Sequence, residues 1–279
     1  MPAFDSPKQL IDWYDNQERV LTPAFLDTIP WQDVKKYEIK DAFIPVLLYF
    51  RDIEKFTEVY FNEMKKTPTG RDPVVRQFME KWQHEEDLHG ELMNRFLEEA
   101  GYPSEDKWFE KIKKNIPLSY KVSSAMAAMT ANLVGKRFSA VHMTWGAINE
   151  MTTLTGYRRL WELMEHPVLT YILKAIAREE ASHSFFYGSL AKLQLMRSKF
   201  TQEIAKFIID HFWSPVGQGA KPEAYTNYII RMLFDGKEGV DIMDEFVNKR
   251  LQMLPGFEQS TTVKDRITKI SLEGRANSI

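Results

Sequence analysis

The chain has 279 residues, 44% hydrophobic and 27% charged, with a formal net charge of -2. That is enough apolar material for a sizeable core, and a charge balance that predicts no strong pull toward nucleic acid or an anionic membrane. It contains no cysteine, which excludes disulfides, thiolate zinc sites, cysteine nucleophiles and cysteine-ligated iron–sulfur clusters. Any metal must then sit on His, Asp or Glu.

Met1 to Leu10 mixes polar and apolar residues around Pro2, Asp5, Pro7 and Lys8, with no apolar stretch of the kind a signal peptide needs. The longest apolar run, Phe43 to Phe50, falls far below the ~20 residues of a membrane span. The cytoplasm is the expected location. The first helix is predicted from near Asp41 to about Lys66, stopped by Thr67-Pro68-Thr69-Gly70. The second starts at Asp72-Pro73, an N-cap with proline at the first helical position. It runs to Gly101, with Pro103 beyond. A shorter helix is expected over Ser104 to Lys114, then a long helical segment over 121–165 with a break near Gly135. Another follows His166-Pro167 to about Ser198. Helices near 200–212, 223–234 and 238–253 complete the pattern, and the last ~25 residues read as a weakly patterned arm or tail. No stretch alternates long enough for a sheet. The expected fold is all-α, a four-helix bundle core with flanking helices. It is read as one domain over 1–279: a ligand-bearing bundle at about 40–198, then C-terminal helices and tail over 199–279.

Charged residues interrupt the apolar stripes in a repeating way. Trp82, Glu86, His89 and Met93 share one face of the second helix. Trp82 and Met93 mark that face as buried, so Glu86 and His89 point into the core. An unpaired buried carboxylate costs several kcal/mol, and a cation held by both side chains would compensate it. Further along, Ile176, Glu180, His183, Tyr187 and Leu190 repeat the arrangement. The Glu-x-x-His step places the two side chains about 60° apart and ~4.5 Å along the axis, within reach of one metal or of neighbouring metals. Each pair has an upstream core-facing glutamate. Glu54 lies among Leu47, Phe50 and Phe61. Glu150 lies among Met143, Ala147, Leu154 and Tyr157. Two similar halves thus supply four Glu and two His, the ligand inventory of a carboxylate-bridged di-iron bundle. One Glu-x-x-His alone is common on helix surfaces. Two on buried faces, each with an upstream glutamate, carry the inference.

The segment Trp82-Gln83-His84-Glu85-Glu86-Asp87-Leu88-His89-Gly90, continuing through Glu91-Leu92-Met93-Asn94-Arg95-Phe96-Leu97 to Gly101, resembles a signature segment of the soluble acyl-acyl-carrier-protein desaturases. Arg178-Glu179-Glu180-Ala181-Ser182-His183 resembles that family's second motif. Glu54 with Tyr60, and Asn149-Glu150-Met151-Thr152-Thr153, resemble its other two ligand helices. The likeness covers roughly residues 40–190. It implies a ferritin-like fold and two iron ions, with Glu86 and Glu180 bridging, Glu54 and Glu150 terminal, and His89 and His183 on one iron each. Manganese suits the same ligands. The resemblance further implies oxygen-dependent insertion of a cis double bond into a fatty acyl chain on acyl carrier protein or another thioester. Electrons would come from a ferredoxin-like donor, and the chain would form a homodimer. Thr153 falls where the family carries a threonine near the oxygen-binding side; the plainer use of its hydroxyl is a bond back to a helix carbonyl. Glu179 stands where the family often has Asp, Leu88 replaces a common Arg, and the loop between the first two ligand helices is shorter. Most of these departures are expected to bear on docking and substrate choice.

The competing readings are a related di-iron hydroxylase or N-oxygenase, and a non-catalytic iron-handling protein. Tyr187 could serve as a radical tyrosine, as in the ribonucleotide reductase small subunit. There the tyrosine follows the first Glu-x-x-His, where this chain has Met93, so core packing is expected. His142 reads as an ordinary helix histidine, and His84, His166 and His211 lack ligand-like partners nearby in sequence. Lys107, Lys111, Lys113 and Lys114, or Lys35 and Lys36, form basic clusters that could dock an acidic carrier or simply be solvated. Trp31, Trp82 and Trp108 are adequately explained by packing.

Overall fold

The computed structural model describes residues 4–272. In chain order the helices are α1 (Pro7–Asp15), α2 (Pro23–Leu26), α3 (Ile44–Met64), α4 (Pro73–Glu99), α5 (Trp108–Lys114), α6 (Leu118–Val134), α7 (Phe138–Met164), α8 (Pro167–Leu195), α9 (Lys199–Phe212), α10 (Glu223–Leu233), α11 (Gly236–Met243), α12 (Lys249–Leu251) and α13 (Thr262–Ser271). No strand occurs among the described residues, and no helix there is long and apolar enough to cross a membrane.

Helices α4 and α8 start where a side chain satisfies their free N–H groups. The Asp72 carboxylate accepts from the backbone N–H groups of Val74 and Val75 at 3.0 and 3.3 Å, ahead of Pro73. His166 does the same for α8. Its Nδ1 accepts from the Leu169 N–H at 3.3 Å, and its Nε2 lies 3.2 Å from the Val34 carbonyl. That histidine is an N-cap and a tie to the N-terminal region. The expected break near Gly135 is present as a short 3-10 turn over Gly135–Arg137 between α6 and α7.

Helix α3 packs along α4 and α7 along α8, and the two pairs close into an all-α, ferritin-like bundle. The α7–α8 contact depends on a glycine. A Cβ at Gly146 would lie 2.3 Å from the Tyr187 ring, which is buried. Gly146→Ala should therefore cost about 1–3 kcal/mol through overpacking. That lowers the thermal midpoint by roughly 5 °C; an unchanged midpoint in calorimetry would show that the ring has room to move.

Two expectations change. The region before Asp41 is not featureless: α1 and a 3-10 turn over Trp31–Lys36 lie against α4 and α8, and α2 stacks Phe25 on Tyr171 of α8. Their start signals, Ser6-Pro7 and Thr22-Pro23, are both side-chain N-caps followed by proline. The C-terminal stretch is not simply a tail. Helix α13 buries Val263 and Ile267 against the segment from α11 to Asn248 and against α10. A ten-residue helix with so few apolar positions is weakly patterned alone, and tertiary packing stabilises it. The final part of the expected tail, 273–279, lies outside the described residues. The predicted helix over 238–253 is α11 and α12 joined by a π-helical turn at Asp244–Asn248.

Helix α6 sits apart from this economy of burial. Only Ala131 of its residues is buried, while Leu118, Val122, Met126, Met129 and Leu133 are 51–85% exposed along one face.

Candidate metal centre

Each of the four bundle helices delivers its charged residues to the same interior point. Glu54 comes from α3, Glu86 and His89 from α4, Glu150 from α7, and Glu180 and His183 from α8. All six are buried. They form two groups, Glu54–Glu86–His89–Glu180 and Glu86–Glu150–Glu180–His183. Within each group one ligand-type atom from every residue lies within 4.8 Å of the others. Glu86 and Glu180 belong to both groups; each group adds one further glutamate and one histidine.

The inward-facing atoms lack ordinary partners. Glu86 Oε1, both Glu180 carboxylate oxygens, His89 Nδ1 and His183 Nδ1 are buried without a hydrogen bond. His183 Nδ1 does lie 2.9 Å from Glu86 and 3.5 Å from Glu180, and His89 Nδ1 lies 3.4 and 3.3 Å from the same two residues. These approaches lack hydrogen-bond geometry, so proximity here is not satisfaction. Unsatisfied buried carboxylates carry a large desolvation cost, and a metal ion accepting all of these lone pairs would remove it. The donor set is all oxygen and imidazole nitrogen, which suits iron, manganese or another divalent first-row ion. The residues fit a metal pair.

The electrostatics of the cluster's own side chains say the same. Burial, then repulsion from Glu86, raises Glu54 well above the ordinary carboxylate range; burial and Glu180 do so for Glu150. Burial opposes charge on His89 and His183 as well, but the surrounding carboxylates outweigh it and hold both pKa values up. Protons thus stand in part where cations would otherwise balance the charge.

The outer edge of each histidine is fixed by a carboxylate from the opposite helix. His183 Nε2 lies 2.7 Å from Glu85, and His89 Nε2 lies 3.1 Å from Glu179. A carboxylate there holds the proton on Nε2 and leaves Nδ1 free to face inward. Burial alone would raise Glu85, yet its bond to His183, with Tyr14 and Arg19, holds it down at about 2. Glu179, treated above among departures expected to concern docking and substrate choice, therefore acts at the cluster itself. Sequence reasoning missed Glu85 and Glu179 as a pair. The available signal was the doubled acid, Glu85-Glu86 and Glu179-Glu180, in front of each histidine.

The two outlying glutamates are also matched. Trp82 Nε1 donates to Glu150 at 3.0 Å, and the Tyr157 hydroxyl donates to Glu54. Trp82 thus orients a carboxylate as well as packing. Thr153 is half-buried one turn past Glu150. Its neighbours Thr152 and Thr155 bond back to helix carbonyls at 2.7 Å each; among the described residues the Thr153 hydroxyl makes no such bond. Tyr187 is buried and donates to the Met79 sulfur at 3.1 Å. His142 pairs with Thr69 at 2.8 Å, and burial lowers its pKa to about 3. His84 and His211 are exposed. Trp31 and Trp108 stack under Arg95 and Arg51, with the guanidinium carbons 4.2 and 3.9 Å from the ring centres. In the lysine clusters, Lys36 pairs with Asp33, Lys111 with Glu105, and Lys113 with Glu110, while Lys35, Lys107 and Lys114 are exposed.

A helical, ferritin-like bundle with a buried glutamate–histidine cluster able to hold metal is the class of protein that fold and site define. Residues 56–207 match the model of a fatty acid desaturase family, and the chain belongs to that family. Comparison with the curated proteins finds no match.

Proposed function

We propose that this chain is an oxygen-dependent di-iron desaturase that introduces a cis double bond into a fatty acyl chain carried as a thioester, with acyl carrier protein as the carrier. The observation that carries the reading is the pair of buried groups sharing Glu86 and Glu180, in a chain of the fatty acid desaturase family. Glu54, Glu86 and His89 with Glu180 would hold one iron; Glu150, Glu180 and His183 with Glu86 would hold the other. Iron bound there would supply the oxygen-dependent oxidation that an unactivated C–H bond requires.

The chain's own residues set the conditions. Glu85 and Glu179 keep the histidine Nδ1 atoms inward. Tyr157 and Trp82 steady Glu54 and Glu150 through one neutral donor each, without adding charge. Phe78 stacks on Phe186 and, with Met79 and Tyr187, keeps the flank toward His183 apolar. Thr153 offers a hydroxyl that no helix carbonyl claims, available to donate a proton toward oxygen beside Glu150. The chain has no cysteine for a redox centre of its own, so two electrons per turnover come from an external, ferredoxin-like donor. Exposed Lys107 and Lys114 near α5 suit an acidic carrier. The uncharged apolar stripe on α6 suits a second copy of the chain, since a two-fold axis would place no like charges together; a monomer mass in light scattering would remove the dimer.

The test is incubation of iron-loaded protein with reduced ferredoxin, oxygen and a panel of acyl carriers, read by mass spectrometry. Loss of about two mass units is the expected result. A gain of about sixteen would make the chain a hydroxylase, and no change across the panel would end the acyl reading. Thr153→Val should retain iron yet consume oxygen with less product formed per oxygen; unchanged turnover and coupling would remove Thr153 from the chemistry.

A further inference from the structure

One stretch of backbone, residues 14–21, holds both carboxylates that orient the histidines, and it holds them differently. Glu85 receives the Tyr14 hydroxyl at 2.5 Å and Arg19 Nε at 2.5 Å. Glu179 receives only neutral backbone donors from this stretch, the N–H groups of Val20 and Leu21 at 3.0 Å each. Arg19 is itself fixed: its Nη1 donates to the carbonyls of Tyr14 and Gln17 at 3.1 Å each, and its guanidinium carbon lies 4.5 Å from the centre of the Tyr14 ring.

The rest of the cluster is closely balanced between the halves. Glu86 and Glu180 are common to both groups, and Glu54 and Glu150 each accept one neutral donor. The difference in formal charge lies behind the histidines. A carboxylate on the outer N–H makes an imidazole a stronger ligand. One whose charge a guanidinium offsets does so less, and the positive charge also opposes a nearby cation.

We propose, resting on the two-cation reading of this cluster, that Arg19 makes the two positions unequal. The first cation settles on the Glu54–His89 side, and the Glu150–His183 side fills second and more weakly. Arg19 is thus a positioning residue that ranks the two sites, acting through Glu85.

The experiment is titration of the metal-free full chain with Mn2+, with bound and free ion followed by electron paramagnetic resonance and heat by calorimetry. Repulsion between two cations separates the steps in any such site, so the variants decide Arg19's share. Arg19→Gln keeps a donor toward Glu85 but removes the charge. It should tighten the weaker step about ten-fold and leave the stronger step in place. Arg19→Lys should restore the wild-type separation. Glu54→Ala should delete the strong step and Glu150→Ala the weak one. The proposal is overturned if Arg19→Gln leaves both steps unchanged or weakens them, as a purely structural role would, or if Glu54→Ala spares the strong step. Failure of the wild-type chain to bind Mn2+ is a different result: it ends the two-cation reading itself, and this ranking with it. Far-UV circular dichroism establishes that each variant keeps its helices.

Discussion

Glu86→Ala should leave the chain unable to retain either metal ion. Glu86 belongs to both ligand groups, so its loss is felt on both sides of the cluster. A residue confined to one group behaves differently: Glu54→Ala should leave one cation bound. Removing an outer partner of a metal ligand typically weakens binding 10–100-fold, so loss of a shared ligand should exceed about 100-fold. The helices should persist, because α4 is anchored by its Asp72 cap and by Phe78, Met79, Met93, Phe96 and Leu97. Metal content by mass spectrometry, with circular dichroism alongside, checks this. Two equivalents of bound metal in folded Glu86→Ala would place the metal elsewhere.

Metal loading should raise the thermal midpoint by more than about 10 °C near pH 7.5, and by much less near pH 5. A ligand at about 100 times its Kd stabilises the folded state by about 2.7 kcal/mol per site. For a chain of this size each kcal/mol is worth about 2–4 °C. The pH dependence follows from the metal-free cluster. Glu54 and Glu150 are raised above 4.5 by burial and then by neighbouring carboxylates, and His89 and His183 are raised above 6.5 by their carboxylate partners despite burial. A raised folded pKa contributes stability that is fully present below the unfolded value and is lost as pH rises through the folded value. Metal-free protein therefore loses this contribution as pH rises, while cations gain by displacing the same protons. Glu85 and Glu179 run the other way. Held below the ordinary range, Glu85 at about 2, they contribute stability above 4.5 that disappears only as pH falls through their folded values. That change lies outside the window between pH 5 and 7.5. A metal-induced shift that was equal at both pH values would mean the metal does not compete for these protons.

The positions that could be read from sequence were those where a local rule and a burial pattern coincide. Asp72-Pro73 and His166-Pro167 start α4 and α8 because capping is a short-range effect of a few atoms. Glu86 with His89, and Glu180 with His183, stand out because a charged pair inside an apolar stripe breaks helical periodicity. The N-terminal region was harder. Arg19 lies 66 residues from Glu85, and Val20 lies 159 residues from Glu179. Nothing in the spacing of such distant residues predicts that they meet.

The four bundle helices, their inward faces and the kinds of donor carried on them were legible in the amino-acid sequence, since each depends on neighbours one to four positions away. The closed bundle was needed to show that each histidine is steadied by the opposite helix, and that one N-terminal stretch ties both steadying carboxylates. Those facts depend on how four helices and the stretch 14–21 close in space, where packing and desolvation act on residues that the chain keeps far apart.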